Sequence, residues 1–346
     1  MSSGAGARTG WTAVAVLLLA LAACTGTDDG EARPTTTGTR SADASSTPSP
    51  SASPTPTPVP DPRSLPALFD QRIEGGGLRS TGGAIDRGRF RQVPVRYRSG
   101  NLTITGQLFV PDGDGPFPAV ILNHGYIEPS VYVSGQGMPR EQAALAQAGF
   151  VVLHTDYRGH AGSDDTGPLD LESRLGYTRD TIAAVRAVRK LDAVDPDRVA
   201  MMGRSMGGGV TLNALVVEPG IVDAAVVYAS VSSSFEDNFR RWTVPGRPDR
   251  ARAVEERWGT ADDEPQKWAG LSARTYFDRV EVPVLMHHGT DDESCPYPWA
   301  TATRNALRRA GADVRLITYR GEHHTFGPRW QASMDRTIDF LRDELR

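Results

Sequence analysis

The serine, acidic and histidine residues of this chain stand in an order that can carry nucleophilic chemistry. Gly203-Arg204-Ser205-Met206-Gly207 has the form G-x-S-x-G, after the apolar run Val199-Ala-Met-Met202 and before a helix-forming stretch. A strand-turn-helix context of that kind presents a serine on a tight turn. Bulk on either side of Ser205 would meet neighbouring backbone, and a helix opening at Met206 aims the Met206 amide at a developing oxyanion. A serine hydroxyl alone is a poor nucleophile, so it needs a base within hydrogen-bond reach and a group to orient that base. Later in the chain, Val284-Leu-Met-His287 leads into His288-Gly-Thr-Asp291-Asp292, and Val314 to Tyr319 leads into Arg320-Gly-Glu-His323-His324. From residue types alone the acid is Asp291 or Asp292 and the base is His323 or His324. Asp292 lies 87 residues after Ser205 and 32 before His324. The second interval holds one helix and one strand.

Those residues need a frame that brings strand ends together. Val93–Tyr97 and Leu102–Val110 predict a hairpin across Ser99-Gly100-Asn101. Short apolar runs at Ala119–Leu122, Val151–Thr155, Val199–Met202, Ala224–Tyr228, Val284–His287 and Val314–Tyr319 predict strands. Helices are expected at 139–148, 174–191, from about Met206, at 299–309 and at 332–345. Strands separated by helices predict an α/β fold: a mostly parallel sheet with helices on both faces. Ligands on such a sheet bind at the carboxyl ends of the strands, where the motifs fall.

Here the resemblance to a family becomes specific. The chain from residue 90 to 346 resembles the α/β-hydrolase superfamily, and most the catalytic domain of the prolyl oligopeptidase family. Pro283-Val-Leu-Met-His-His-Gly-Thr-Asp-Asp292 is similar to the pattern P-V-L-x-x-H-G-x-x-D, and Gly321-Glu-His-His324-Thr-Phe326 to G-x-x-H-x-F. Ser272–Tyr276 resembles the segment S-P-x-x-Y, with Ala273 in place of proline. The resemblance implies an α/β-hydrolase fold with a small cap, Asp292 as the acid, His324 as the base and Ser205 as the nucleophile. It also implies an H-G-x oxyanion loop at His124-Gly125-Tyr126, so that the backbone amides of Tyr126 and Met206 form the hole. His124 then holds the loop rather than acting as base. Asp156-Tyr-Arg-Gly-His-Ala-Gly-Ser163 resembles the structural loop D-x-R-G-H-G-x-S of the same superfamily, except that Ala161 stands between His160 and Gly162.

Composition sets the rest. Hydrophobic residues make up 39% of the 346, and the net charge is −4. That charge offers no basic footprint for nucleic acid. Of the 39 residues from 25 to 63, 9 are Thr, 6 Ser and 8 Pro, too polar to bury a core. Before them, the apolar run Trp11–Ala23 is too short to span a bilayer but fits a signal-peptide core. It ends in Leu21-Ala-Ala-Cys24, which resembles the bacterial lipoprotein cleavage box. The expected organisation is a signal peptide (1–23), a lipidated Cys24 with a Thr/Ser/Pro-rich tether (24–63) and a hydrolase domain (64–346). The expected location is outside the cytoplasm, anchored to the cell membrane by lipid on Cys24. Within the domain, residues 232–271 break the strand-helix rhythm and hold Trp242, Trp258 and Trp268, half of the six tryptophans. They are expected either to pack on the core or to rim an acyl or leaving-group pocket.

Neither H-E-x-x-H nor a Gly-rich phosphate loop with lysine occurs, so no metal and no cofactor is expected. The two cysteines exclude a disulfide scaffold, and Cys295 is expected as a buried free thiol. The expected activity is a serine hydrolase acting on small esters or short peptides, with esters favoured. A true peptidase and a non-catalytic binding lipoprotein on the same fold are the alternatives.

Overall fold

The computed structural model of the protein describes residues 60–167 and 174–346. The expected signal segment, Cys24 and most of the tether lie outside the described residues. The sheet begins with β1 (Gly75–Ser80), β2 (Ile85–Asp86), β3 (Phe90–Ser99) and β4 (Leu102–Pro111). It continues with β5 (Phe117–Asn123), β6 (Val151–Thr155), β7 (Val194–Arg204), β8 (Ala224–Tyr228), β9 (Val284–Gly289) and β10 (Val314–Tyr319). The order across the sheet is β1-β3-β4-β6-β5-β7-β8-β9-β10, with β2 on β3. From β6 to β10 every pairing is parallel, whereas β1 to β4 pair antiparallel with one another and β4 pairs antiparallel with β6. β1 and β2 carry weak sequence signals. Gly75-Gly-Gly77 lacks β-branched residues, and β1 forms because it pairs with β3, with a shift of register between Gly76 and Arg79.

The core divides by the period-2 rule. Along β5, Ala119 and Ile121 enter one cluster, and Val120 and Leu122 enter the other. The first cluster takes buried residues from α1 (Leu175–Val188), α2 (Met206–Val217) and α3 (Tyr297–Arg309). The second packs under the helices Pro139–Gln147 and Trp330–Glu344. Helices therefore cover both faces, as the alternation predicts.

Chain direction creates the site. From β5 the chain turns one way to β6, and from β7 it turns the other way to β8, yet β5 and β7 are neighbours. A crevice opens between their carboxyl ends at such a reversal. The end of β5 is fixed by the buried Asn123 side chain, which donates to Thr211 Oγ1 on α2 (2.9 Å) and accepts from Thr181 Oγ1 on α1 (2.9 Å).

The segment 232–271 is a set of short helices with a core of its own, made of Phe235, Phe239, Ala251, Val254, Trp258, Trp268 and Leu271. The expected aromatic rim is not what Trp258 and Trp268 form: both are buried inside this cap. Trp242 sits in a π-helical turn (Phe239–Thr243) and meets Trp299 of α3 edge to face at 5.5 Å. Residues at the end of the expected tether dock here. Arg257 of the cap pairs with Asp61 (3.2 Å), and the Leu65 amide donates to Gly270 O (3.0 Å). Among the described residues no helix is long and apolar enough to cross a membrane.

Candidate active site

Ser205 joins β7 to α2 with φ 55° and ψ −120°. A non-glycine residue seldom adopts that backbone, and neighbouring structure must hold it there. The Ser205 amide donates to Tyr228 O (2.9 Å), and Ser205 O accepts from Gly208 N (3.0 Å) and Val231 N (3.1 Å). The flanking glycines are steric requirements. A Cβ on Gly207 would lie 1.9 Å from Asn123 O, and one on Gly203 would lie 2.1 Å from Gly207 O. The loop after β5 presses on the same turn, since a Cβ on Gly125 would come within 3.2 Å of Ser205 Cβ and 3.7 Å of its Oγ. The His124-Gly125-Tyr126 loop thus abuts the serine. Outside the helix and strand ladders, neither the Tyr126 nor the Met206 amide donates to backbone among the described residues. Both are available for an oxyanion.

Asp292 and His324 meet on the neighbouring strand ends. His324 Nδ1 lies 3.0 Å from both Asp292 oxygens. The Asp292 side chain is fully buried and also accepts from the amides of Ser294 (2.9 Å) and Cys295 (2.8 Å). Burial pushes the Asp292 carboxyl up. Hydrogen bonds from His288 and His324, the nearby His324 charge and the Cys295 amide outweigh it and hold the carboxyl well below the usual carboxylate range. With a carboxylate at its Nδ1, His324 keeps its proton there and leaves Nε2 free to accept one. No hydrogen bond joins Ser205 Oγ to His324 among the described residues, an open geometry common in ligand-free sites. The alternatives are placed apart. Asp291 Oδ1 accepts from Thr290 Oγ1 (2.7 Å), and His323 Nδ1 faces Glu293 Oε2 (3.2 Å) at the surface.

Further residues, to two of which sequence reasoning assigns no role, stand beside this pair. His288 is buried behind Asp292, with Nε2 donating to Cys295 O (2.7 Å) and lying 3.3 Å from Asp292 Oδ2. Its place four residues before Asp292, in the strand that delivers the acid, was the available signal. Arg204, inside the serine motif, donates from Nη2 to His324 O (3.2 Å). Cys295 is the buried free thiol expected. Burial, then the Asp292 charge, pushes the thiol up despite the neighbouring Ser205 hydroxyl, which makes it a poor nucleophile.

The other histidines hold structure. His124 is enclosed by the rings of Tyr132 (4.6 Å), Tyr157 (4.5 Å), His154 (5.6 Å) and His160 (5.3 Å), and its Nδ1 bonds Gly125 O at 2.7 Å. Burial, with two histidine neighbours, lowers it to about 3, so the ring is neutral. Asp156 accepts from Thr105 Oγ1, Tyr132 OH, Ser134 Oγ and the Gly135 amide, and Arg158 forks onto Asp180. No group of three or more His, Cys, Asp or Glu suited to a metal occurs among the described residues.

Over this crevice the cap touches both sides. Arg241 Nη2 donates to Glu293 O (2.6 Å), beside the acid, and the Arg247 guanidinium lies 5.5 Å over the Tyr126 ring.

The model of the prolyl oligopeptidase family matches residues 137–346, which hold the serine, the acid and the histidine. The chain belongs to the prolyl oligopeptidase family. Among curated members of similar sequence, the acylamino-acid-releasing enzyme of Sus scrofa is 26% identical over 219 residues, 60% of this chain and 28% of that protein. Dipeptidyl aminopeptidase BIII of Pseudoxanthomonas mexicana is 29% identical over 254 residues, 68% of this chain and 35% of that protein. The chain thus spans about a third or less of the length of these relatives. In fold it is similar to an acetyl xylan esterase from Paenibacillus sp. R4 (TM-score 0.61, 19% identity), over 80% of this chain and 92% of that one. It is similar also to the acylaminoacyl peptidase of Pyrococcus horikoshii (TM-score 0.61, 19% identity), over 74% of this chain and 42% of that one. Both likenesses bear out the α/β-hydrolase fold. The family match begins after the His124-Gly125-Tyr126 loop, so that loop rests on geometry alone.

Proposed function

We propose that this protein is a serine hydrolase that works through an acyl-enzyme on Ser205. Its Nε2 lone pair lets His324 take the Ser205 proton as Oγ attacks an ester or amide carbonyl, and Asp292 orients the ring and stabilises its charged form. The amides of Tyr126 and Met206 receive the oxyanion, and two such donors contribute several kcal/mol to the transition state. The protonated His324 then gives its proton to the leaving group, and water resolves the acyl-enzyme by the reverse path. The observation that carries the reading is the strained turn at Ser205, set against the His124-Gly125-Tyr126 loop and beside a buried Asp292–His324 pair.

We further propose that short acyl esters are the favoured substrates. The cover that residues 232–271 supply is a small cap, and esters demand less of the leaving-group acid than amides do. Cleavage of short peptides is the second reading, favoured by the peptidases among the relatives. Comparing kcat/KM on short p-nitrophenyl esters with aminoacyl and prolyl p-nitroanilides decides between them, and anilides turned over as fast as esters would make it a peptidase. Labelling of Ser205 by a fluorophosphonate tests catalysis itself, since a binding protein on this fold would not react. The Leu21-Ala-Ala-Cys24 box supports a lipid anchor on Cys24 outside the cytoplasm. Cys24→Ser should move the protein into the soluble fraction, and retention in the membrane after signal removal would refute the anchor.

A further inference from the structure

The loop carrying His324 is held by two arginines through three consecutive carbonyls. Arg204 Nη2 donates to His324 O (3.2 Å), while Arg140 Nη2 donates to Thr325 O (2.8 Å) and Phe326 O (3.2 Å). The two arginines come from different elements. Arg204 is the residue before Ser205, and Arg140 sits in the helix Pro139–Gln147. Arg204 is largely buried, and Glu141 beside it is 3% exposed, with Oε1 3.6 Å from Arg204 Nη1. The same Glu141 oxygen accepts from Trp330 Nε1 (2.9 Å), and the Arg140 guanidinium lies 4.7 Å over the Trp330 ring. Glu141 Oε2 is buried without a hydrogen-bond partner. A carboxylate in that setting is costly unless a cation stands by it. Arg204 is that cation, and its other arm reaches the base.

We infer that Arg204 is a positioning residue for the proposed reaction: paired with Glu141, it spaces the backbone of His324 from the neighbouring Ser205. Asp292 fixes the ring of His324 but not the distance from that ring to the serine. Arg204 is joined by one peptide bond to Ser205 and by one hydrogen bond to His324, so it spans that distance. An error of about 1 Å between nucleophile and base costs about 100-fold.

The inference rests on His324 being the base. His324→Ala is therefore measured first, and an active His324→Ala would overturn that reading rather than the role of Arg204. With ester as substrate, Arg204→Gln should lower kcat about 10- to 100-fold with KM within about twofold. Glu141→Gln, which loosens Arg204 without touching the base, should lower kcat in the same direction but by less, again with KM within about twofold. Should Arg204→Gln fail to fold, Arg204→Lys keeps the charge but cannot span Glu141 and His324 together. It should lower kcat about tenfold with KM unchanged. A folded Arg204→Gln or Arg204→Lys with wild-type kcat overturns the inference, and so does a loss that falls on KM instead of kcat.

Discussion

Two clusters of histidine and carboxylate lie at the carboxyl ends of this sheet, one at each side of Ser205. Behind the oxyanion loop, His124, His154 and His160 are buried among Tyr132, Tyr157 and Tyr177, with Asp156 below them. Beyond the serine, His324 pairs with Asp292 and remains 15% exposed. The residue types are alike and the outcomes differ. In the first cluster ring nitrogens meet backbone carbonyls, a tyrosine hydroxyl and an amide, and Asp156 spends its oxygens on hydroxyls and a backbone amide. Burial lowers His124 and His154 to about 3, so neither takes a proton in the working range. In the second cluster the carboxylate is kept ionised and aimed at one ring nitrogen, and the other nitrogen is left for chemistry. Under the proposed mechanism a histidine becomes a base here through a charged partner on one side and an opening on the other.

Activity separates the clusters most widely. Ser205→Ala, His324→Ala and Asp292→Asn should each lose on the order of 10³-fold or more in turnover, and the losses should not add in the double variants. Thermal midpoints should change little for Ser205→Ala and His324→Ala. A residual rate in His324→Ala within tenfold of the wild type would merge the two clusters and break the contrast.

His124→Ala should do the reverse. It removes a ring stacked between Tyr132 and His154 and opens a cavity under the oxyanion loop. A loss of about 2–4 kcal/mol by denaturant unfolding is expected, from the scale of buried large-to-alanine changes. Fluorophosphonate labelling of the fraction that remains folded should persist, which no base variant would allow.

Acid sharpens the contrast further. In the folded chain His124, His154 and His287 are lowered to about 3, first of all by burial, against an ordinary value of about 6.5 in the unfolded chain. Between those values the unfolded chain binds protons that the folded chain refuses, so stability falls as pH falls. The slope should approach three protons, about 1.4 kcal/mol per pH unit for each. Asp292, held low, extends the loss below about pH 4 with the same sign. His154→Gln should remove one proton from the slope measured from pH 6.5 to 4. An unchanged slope would mean that His154 titrates when folded.

Much of this frame is legible in residues. Short apolar runs mark β5 to β9 because a strand covered on both faces has no polar side to blur it. Glycines mark the serine turn because any Cβ at 203 or 207 would overlap backbone. β1 and β2 escape such reading, since an edge strand gains its order from its partner. The cap tryptophans also escape: nothing in their spacing tells that Trp258 and Trp268 face each other's neighbours rather than the crevice. Arg204 and Glu141 are 63 positions apart, and only the folded chain, which brings the turn after β7 to Glu141, makes them a pair.

The smallest effects belong to the residues beside Asp292 and His324, and they test the assignment most closely. Asp291 and Asp292 are neighbours in sequence, as are His323 and His324, yet each pair splits between solvent and interior. Asp291 is exposed and accepts from Thr290 Oγ1, whereas Asp292 is buried on His324. His323 is 68% exposed against Glu293, a contact open to water and worth little. Asp291→Asn and His323→Gln should therefore leave kcat/KM within about twofold. Were Asp291→Asn to cripple turnover while Asp292→Asn stayed mild, the acid would sit one residue earlier. The buried Asp292–His324 pair would then belong with the structural cluster on the far side of the serine.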